Sequence, residues 1–90
     1  PVIKSGILGF TRTLASYLAP YNIRVNALVP GGVKTGYLDE QFEKGYSFRT
    51  MLGRMAKKDD YNGAILFLCS DASNYMTGSS LIVDGGWTAW

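Results

Sequence analysis

The sequence has no histidine. Zinc sites built on imidazole ligands, and Ser-His-Asp triads made within this chain, are therefore excluded. It has one cysteine, Cys69, so no internal disulfide can form. The apolar neighbours of Cys69 predict a small buried residue in a reducing, cytoplasmic compartment. Long apolar runs are missing too. None reaches the roughly 18 residues of a membrane-spanning helix, so no membrane partner is expected. No charged start followed by an apolar core marks a secretory leader. Charge of one sign is scarce: nine basic and seven acidic residues leave a formal net charge of +2. Lys57-Lys58 is offset at once by Asp59-Asp60. Without a basic stripe to follow a phosphate backbone, no nucleic-acid partner is expected.

What the chain has is apolar surface. At 47% hydrophobic over 90 residues it is too apolar for a disordered tail. A chain of this size buries only about 60 to 65% of its unfolded surface. A sheet covered by helices on both faces normally needs more. That mismatch, and a first residue that is not Met, predict one domain at most and part of a larger fold.

Periodicity predicts a helix over 2–19. Ile3, Ile7, Phe10, Leu14, Tyr17 and Leu18 recur at spacings of three and four, with Leu8, Ala15 and Ala19 widening the stripe to more than one side. Gly6 and Gly9 weaken this helix by roughly 1 kcal/mol each against Ala, which suggests close approach of another backbone. Pro20 and Asn22 suit its end. Residues 23–29 read as a strand covered on both faces, interrupted only by Arg24 and Asn26. Residues 37–52 predict a mixed, mobile helical insertion. Asp59 or Asp60 then caps a helix to about residue 70, and 81–83 form a last short strand. The order is half of a doubly wound α/β sheet.

The end of the first strand, "VPGGVKT", raises the functional question. In open α/β sheets, ligands sit beyond the carboxyl ends of strands. Pro30 stops the ladder, while Gly31 and Gly32 let the main chain turn and approach a flat ligand. Val33 offers main-chain donor and acceptor groups and Thr35 a hydroxyl, a set that suits a carboxamide. On pattern alone an ordinary strand-to-loop turn explains the same residues.

Four segments in order resemble the short-chain dehydrogenase/reductase family: "KSGILGFTRTLASYLAPYNIRVN", "NALVPGGVKT", "GRMAKKDDYNGAILFLCSDASNYMTG" and "LIVDGG". The resemblance covers nearly the whole chain. It implies the carboxyl-terminal part of a doubly wound parallel-sheet Rossmann fold, residues 1–90 being a portion of a single dinucleotide-binding oxidoreductase domain. It further implies a cofactor, NAD or NADP, and a small-molecule alcohol or carbonyl substrate, with a homodimer or homotetramer as the assembly.

By position, Lys4 matches the lysine of the family's Tyr-x-x-x-Lys pair, and the tyrosine would fall one position before Pro1. The resemblance gives Lys4 both a catalytic and a cofactor-binding role: holding the nicotinamide ribose and lowering the tyrosine pKa. It makes Pro30, Gly31, Gly32, Val33 and Thr35 the nicotinamide pocket, with Gly32 serving backbone freedom. Asn26 is implied to be a buried structural amide, and Asp84-Gly85-Gly86 a structural turn. Where many members carry Pro before an acidic pair, this chain has "KKDD". Its "GGWTAW" tail, with two tryptophans, suggests a subunit interface and resembles members linked to sugar and glycan synthesis. No metal site is expected. The family's Gly-rich phosphate loop and catalytic Ser and Asn are not in these residues, so the 90 residues alone are expected neither to hold cofactor tightly nor to turn over. Two other readings stand beside the enzyme. One is a non-catalytic dehydrogenase-like nucleotide sensor or interaction protein. The other is a freestanding α/β module.

Overall fold

The computed structural model describes residues 2–34, 36 and 39–89. Its first helix, α1, runs Val2–Leu18 and continues as a 3-10 turn, Ala19–Tyr21. Asn22 closes it in the left-handed region at φ 60°, its N–H on the Ala19 carbonyl at 3.0 Å. Asn tolerates this backbone, as the pattern predicts. Strand β1 is Ala27–Pro30 and β2 is Ser80–Val83, paired in parallel with Ala27 opposite Ser80 and Pro30 opposite Val83. Parallel strands need a long crossover. Here it carries helix α2, Glu40–Phe48, and helix α3, Asn62–Cys69.

Strand β1 is shorter than its apolar run. Residues 23–26 lie outside the ladder because side chains take its place. Thr77 Oγ1 accepts from the Val25 N–H at 3.1 Å, and the Val25 carbonyl takes the Gly78 N–H at 2.7 Å. The Asn26 carboxamide donates to the Met76 carbonyl at 3.0 Å and accepts from the Ser79 N–H at 3.1 Å. The Arg24 guanidinium donates to four carbonyls, those of Leu68, Ser70, Ser73 and Met76, at 2.7 to 3.3 Å. Asn26 is thus structural, as expected, though half-buried rather than fully enclosed.

The covered stripe of α1 also differs from the expected one. Thr11 and Ala15 are buried and Leu8, Leu14 and Leu18 half-buried. Ile7, Phe10 and Tyr17 stand 55%, 63% and 74% exposed. One face of the helix meets β1; among the described residues no second layer covers the other. The same reason leaves Ile82 and much of α3 open and makes Cys69 exposed, against the expectation of burial. Among the described residues, no atom outside the helix backbone and the adjoining residues lies within 4 Å of where a Cβ would stand at Gly6 or Gly9. The Cα radius of gyration, 15.3 Å, exceeds the about 12 Å of a compact domain of this length.

Helix α2 begins where Asp39 accepts the Gln41 N–H at 2.6 Å, a side-chain cap of the first turn. It is shorter than 37–52: Thr50 and its neighbours turn away, with the Thr50 hydroxyl on the Ser47 carbonyl and accepting the Arg54 N–H. Residues 37 and 38 lie outside the described residues. A 3-10 turn, Lys58–Tyr61, precedes α3. Asp60 does cap it, but from its third position, reaching back to the Lys57 N–H at 2.7 Å.

Candidate active site at the carboxyl ends of the strands

Both strands end side by side. The Gly31 N–H carries the ladder one step further, to the Val83 carbonyl at 3.2 Å, and is shared with the phenol oxygen of buried Tyr61 at 3.1 Å. Gly31 has no room for a side chain: a Cβ there would lie 3.0 Å from Asp84 Cα. At Gly32 a Cβ would sit 2.5 Å from Cζ of Tyr46, whose phenol oxygen accepts the Gly32 N–H. Neither glycine has a positive φ. The reason for glycine at Gly32 is therefore close approach of a ring, not the backbone freedom expected from the pattern.

Beyond the glycines the chain pairs once more. Val33 bridges Ala56 in parallel, with the Ala56 N–H on the Gly32 carbonyl at 2.9 Å and the Lys34 N–H on the Ala56 carbonyl at 2.7 Å. In this bridge Ala56 supplies its own N–H and C=O, while on the other side the bonds go to Gly32 and Lys34, the residues flanking Val33. The Val33 N–H and C=O accordingly have no partner among the described residues. Thr35, predicted to add a hydroxyl, lies outside the described residues. Pro30 is exposed at the strand end.

A cleft of about 160 Å³ opens between the strand ends, lined by Gly31, Gly32, Tyr46, Tyr61, Val83 and Asp84 among others. Arg54 and Asp60 close one side, with 2.7 Å between Nη1 and Oδ2. The Arg54 hydrogen bond, then the Lys57 N–H, hold the Asp60 carboxyl below its ordinary value, and the same pair raises the Arg54 pKa.

Asp84 terminates β2 and organises the turn after it. Its carboxylate accepts from the Thr88 hydroxyl at 2.7 Å and from the N–H groups of Gly86 and Thr88 at 3.0 and 3.1 Å. The Thr88 bond is the main reason its pKa is lowered, and burial works slightly against it. The charge of Lys4 adds a further downward pull. Lys4 is exposed in the first turn of α1. Gly85 and Gly86 have φ of 65° and 91°, a backbone that favours glycine, as the structural-turn reading predicts.

The aromatic residues here were not legible as site residues. Tyr46 stacks on Trp87 with ring centroids 4.3 Å apart and planes 17° apart. Phe42, one helical turn before Tyr46, lies 6.3 Å from it. The i, i+4 spacing of Phe42 and Tyr46 was the available signal. Trp87, read from sequence as an interface residue, finds a partner within the chain; Trp90 lies outside the described residues.

Residues 1–88 match the family described as enoyl-(acyl carrier protein) reductase. The chain is 40% identical over 86 residues to the 3-oxoacyl-[acyl-carrier-protein] reductase FabG of Aquifex aeolicus, covering 92% of this chain and 35% of that protein. Its fold is similar to a short-chain dehydrogenase from Leptospira borgpetersenii with bound NAD+, at TM-score 0.89 and 46% identity, covering 94% of this chain and 33% of that one. It is also similar to a gluconate 5-dehydrogenase from Burkholderia cenocepacia in complex with NADP and tartrate, at TM-score 0.89 and 34% identity, over 97% and 36% of the two chains. The chain thus spans about a third of the length of these relatives. With its parallel Rossmann-type strands and the motifs in register, the chain belongs to the short-chain dehydrogenase/reductase family.

Proposed function

We propose that residues 1–90 are the carboxyl-terminal portion of one dinucleotide-binding domain in an NAD(P)-dependent oxidoreductase. It moves a hydride between the nicotinamide and an alcohol or carbonyl, sugar derivatives included. The observation that carries this reading is Val33, which presents a main-chain donor and acceptor with no partner among the described residues just past the end of β1. An amide ligand needs one of each, and this is where open α/β sheets take their ligands. The donor set therefore fits a nicotinamide carboxamide. FabG, named as a reductase, and the two neighbours solved with NAD+ and NADP support the same reading.

In this reading Val33 holds the carboxamide, Pro30, Gly31 and Gly32 line the ring's side of the pocket, and Thr35 adds a hydroxyl. The cofactor, when bound, supplies or accepts the hydride. Lys4 orients the ribose through its ammonium, and its charge favours the ionised form of an acid–base group beside it. Helix α2 covers the substrate. The exposed apolar faces of α1 and α3 are covered by the rest of the domain and by further copies, in a homodimer or homotetramer. An unpaired, exposed thiol at Cys69 suits a reducing, cytoplasmic setting.

Titration of the protein that carries this chain with NAD+ and with NADP+, followed by amide chemical shifts, tests the reading. The Val33 amide is expected to move on saturation. Oxidation of gluconate or a cyclic alcohol is expected to produce reduced nicotinamide. A Val33 amide that stays put at saturation would remove the carboxamide assignment, and binding of neither cofactor would sink the oxidoreductase.

A further inference from the structure

Helix α2 buries none of its residues fully, yet it stands directly over the glycine turn. What holds it there is a small set of contacts. The Tyr46 ring lies against Trp87, and its hydroxyl accepts the Gly32 N–H. The loop after α2 is tied to the β2 turn by the Leu52 N–H on the Gly85 carbonyl at 3.0 Å. Lys34 pairs with Glu43 at 3.3 Å, but both side chains are solvent-accessible, so this pair adds little. Trp87 is itself fixed from below. Its N–H reaches the Asp84 carbonyl at 3.2 Å, and the Asp84 carboxylate caps the turn Trp87–Ala89 through Thr88. A Cβ at Gly86 would lie 2.6 Å from the Met51 side chain, so that turn also seats closely on the loop after α2.

We propose that Trp87 is a positioning residue: through its stack on Tyr46 it sets where α2 stands over the glycine turn, and so how tightly substrate is held. The proposal rests on the oxidoreductase reading above. Among the described residues no hydrogen bond joins Trp87 to Gly31, Gly32 or Val33. Trp87 acts on the Gly32 N–H through the Tyr46 hydroxyl, and a flat aromatic is what the 4.3 Å contact requires.

Two measurements on the protein that carries this chain test it, with Trp87→Ala, Trp87→Phe and Tyr46→Phe. Hydrogen exchange reads the latch without any turnover. Trp87→Ala is expected to speed exchange of residues 40–48 and of the Gly32 amide by about three- to tenfold, the range an aromatic pair commands. Trp87→Phe should restore it, and the amides of β1 and β2 should not change. Tyr46→Phe should release the Gly32 amide alone. Steady-state kinetics then read the consequence: Trp87→Ala raises KM for the alcohol several-fold with kcat little changed, and Trp87→Phe recovers it. Unchanged exchange over 40–48 in Trp87→Ala overturns the latch. So does accelerated exchange with KM unmoved, or a KM that Trp87→Phe fails to recover. A wild-type protein that binds no nicotinamide cofactor overturns the oxidoreductase reading instead, and hydrogen exchange still decides whether Trp87 holds α2.

Discussion

The two ends of the β1–β2 pair are held by opposite means. At the amino end, polar side chains do the joining. Arg24 collects four carbonyls, and Asn26 satisfies Met76 and Ser79 at once. Among the described residues no buried side-chain polar atom there lacks a partner, which suits a scaffold. At the carboxyl end glycine amides do the joining: the Gly31 N–H meets the Val83 carbonyl, and two tyrosine hydroxyls accept from the amides of Gly31 and Gly32. That end leaves the Val33 N–H and C=O without a partner among the described residues. Long polar side chains saturate the main chain at one end, whereas short glycines leave main-chain groups over at the other. Main-chain groups left over are fixed in direction and available to a ligand.

The comparison can be broken most sharply at Lys4. In the protein that carries this chain, Lys4→Met should lower kcat/KM by about a hundredfold or more, the scale of lost acid–base assistance. Its melting temperature should stay near wild type, since Lys4 is exposed. Unchanged turnover would remove Lys4 from the chemistry. Next in size is Gly32→Ala. The new Cβ would meet the Tyr46 ring at 2.5 Å, and overpacking of this kind costs about 2–3 kcal/mol, read by chemical denaturation. A neutral substitution would mean that α2 yields freely. At the other end, Asn26→Ala strands the Ser79 N–H, while Arg24 still donates to the Met76 carbonyl. Because the site is half-buried, the cost should be about 1 kcal/mol with cofactor affinity unaltered. A change in cofactor affinity would show that the two ends are coupled.

The smallest effect is acid dependence. The carboxyls of Asp60 and Asp84 titrate below their ordinary value of 3.8, so ionisation favours the folded form. That contribution is complete at neutral pH and is lost as pH falls below about 3.8 through the lower folded values. Asp84→Asn should flatten the acid limb of a stability-against-pH curve slightly. An unchanged limb would assign the loss elsewhere.

Which parts of this could be read without coordinates follows from the range of each interaction. The end of α1 at Pro20 and Asn22, the β1 break at Pro30 and the glycine turn after β2 are local backbone preferences. The covered stripe of α1 was misjudged because Ile7, Phe10 and Tyr17 are as apolar as Leu8 and Leu14. Periodicity finds an apolar face but not which neighbour is present to cover it. Residues 23–26 misled for a related reason: apolar content favours a strand, but Arg24 and Asn26 engage residues about fifty positions away.

The order of the elements, the family motifs and the glycine break after β1 are written in the residues alone. Each depends on residue type at short spacing. It took the assembled fold to show that Gly32 admits the Tyr46 ring, that Trp87 stacks within the chain, and that the Val33 N–H and C=O are left without a partner among the described residues. Those outcomes depend on which distant segments meet, and local pattern carries no record of such meetings.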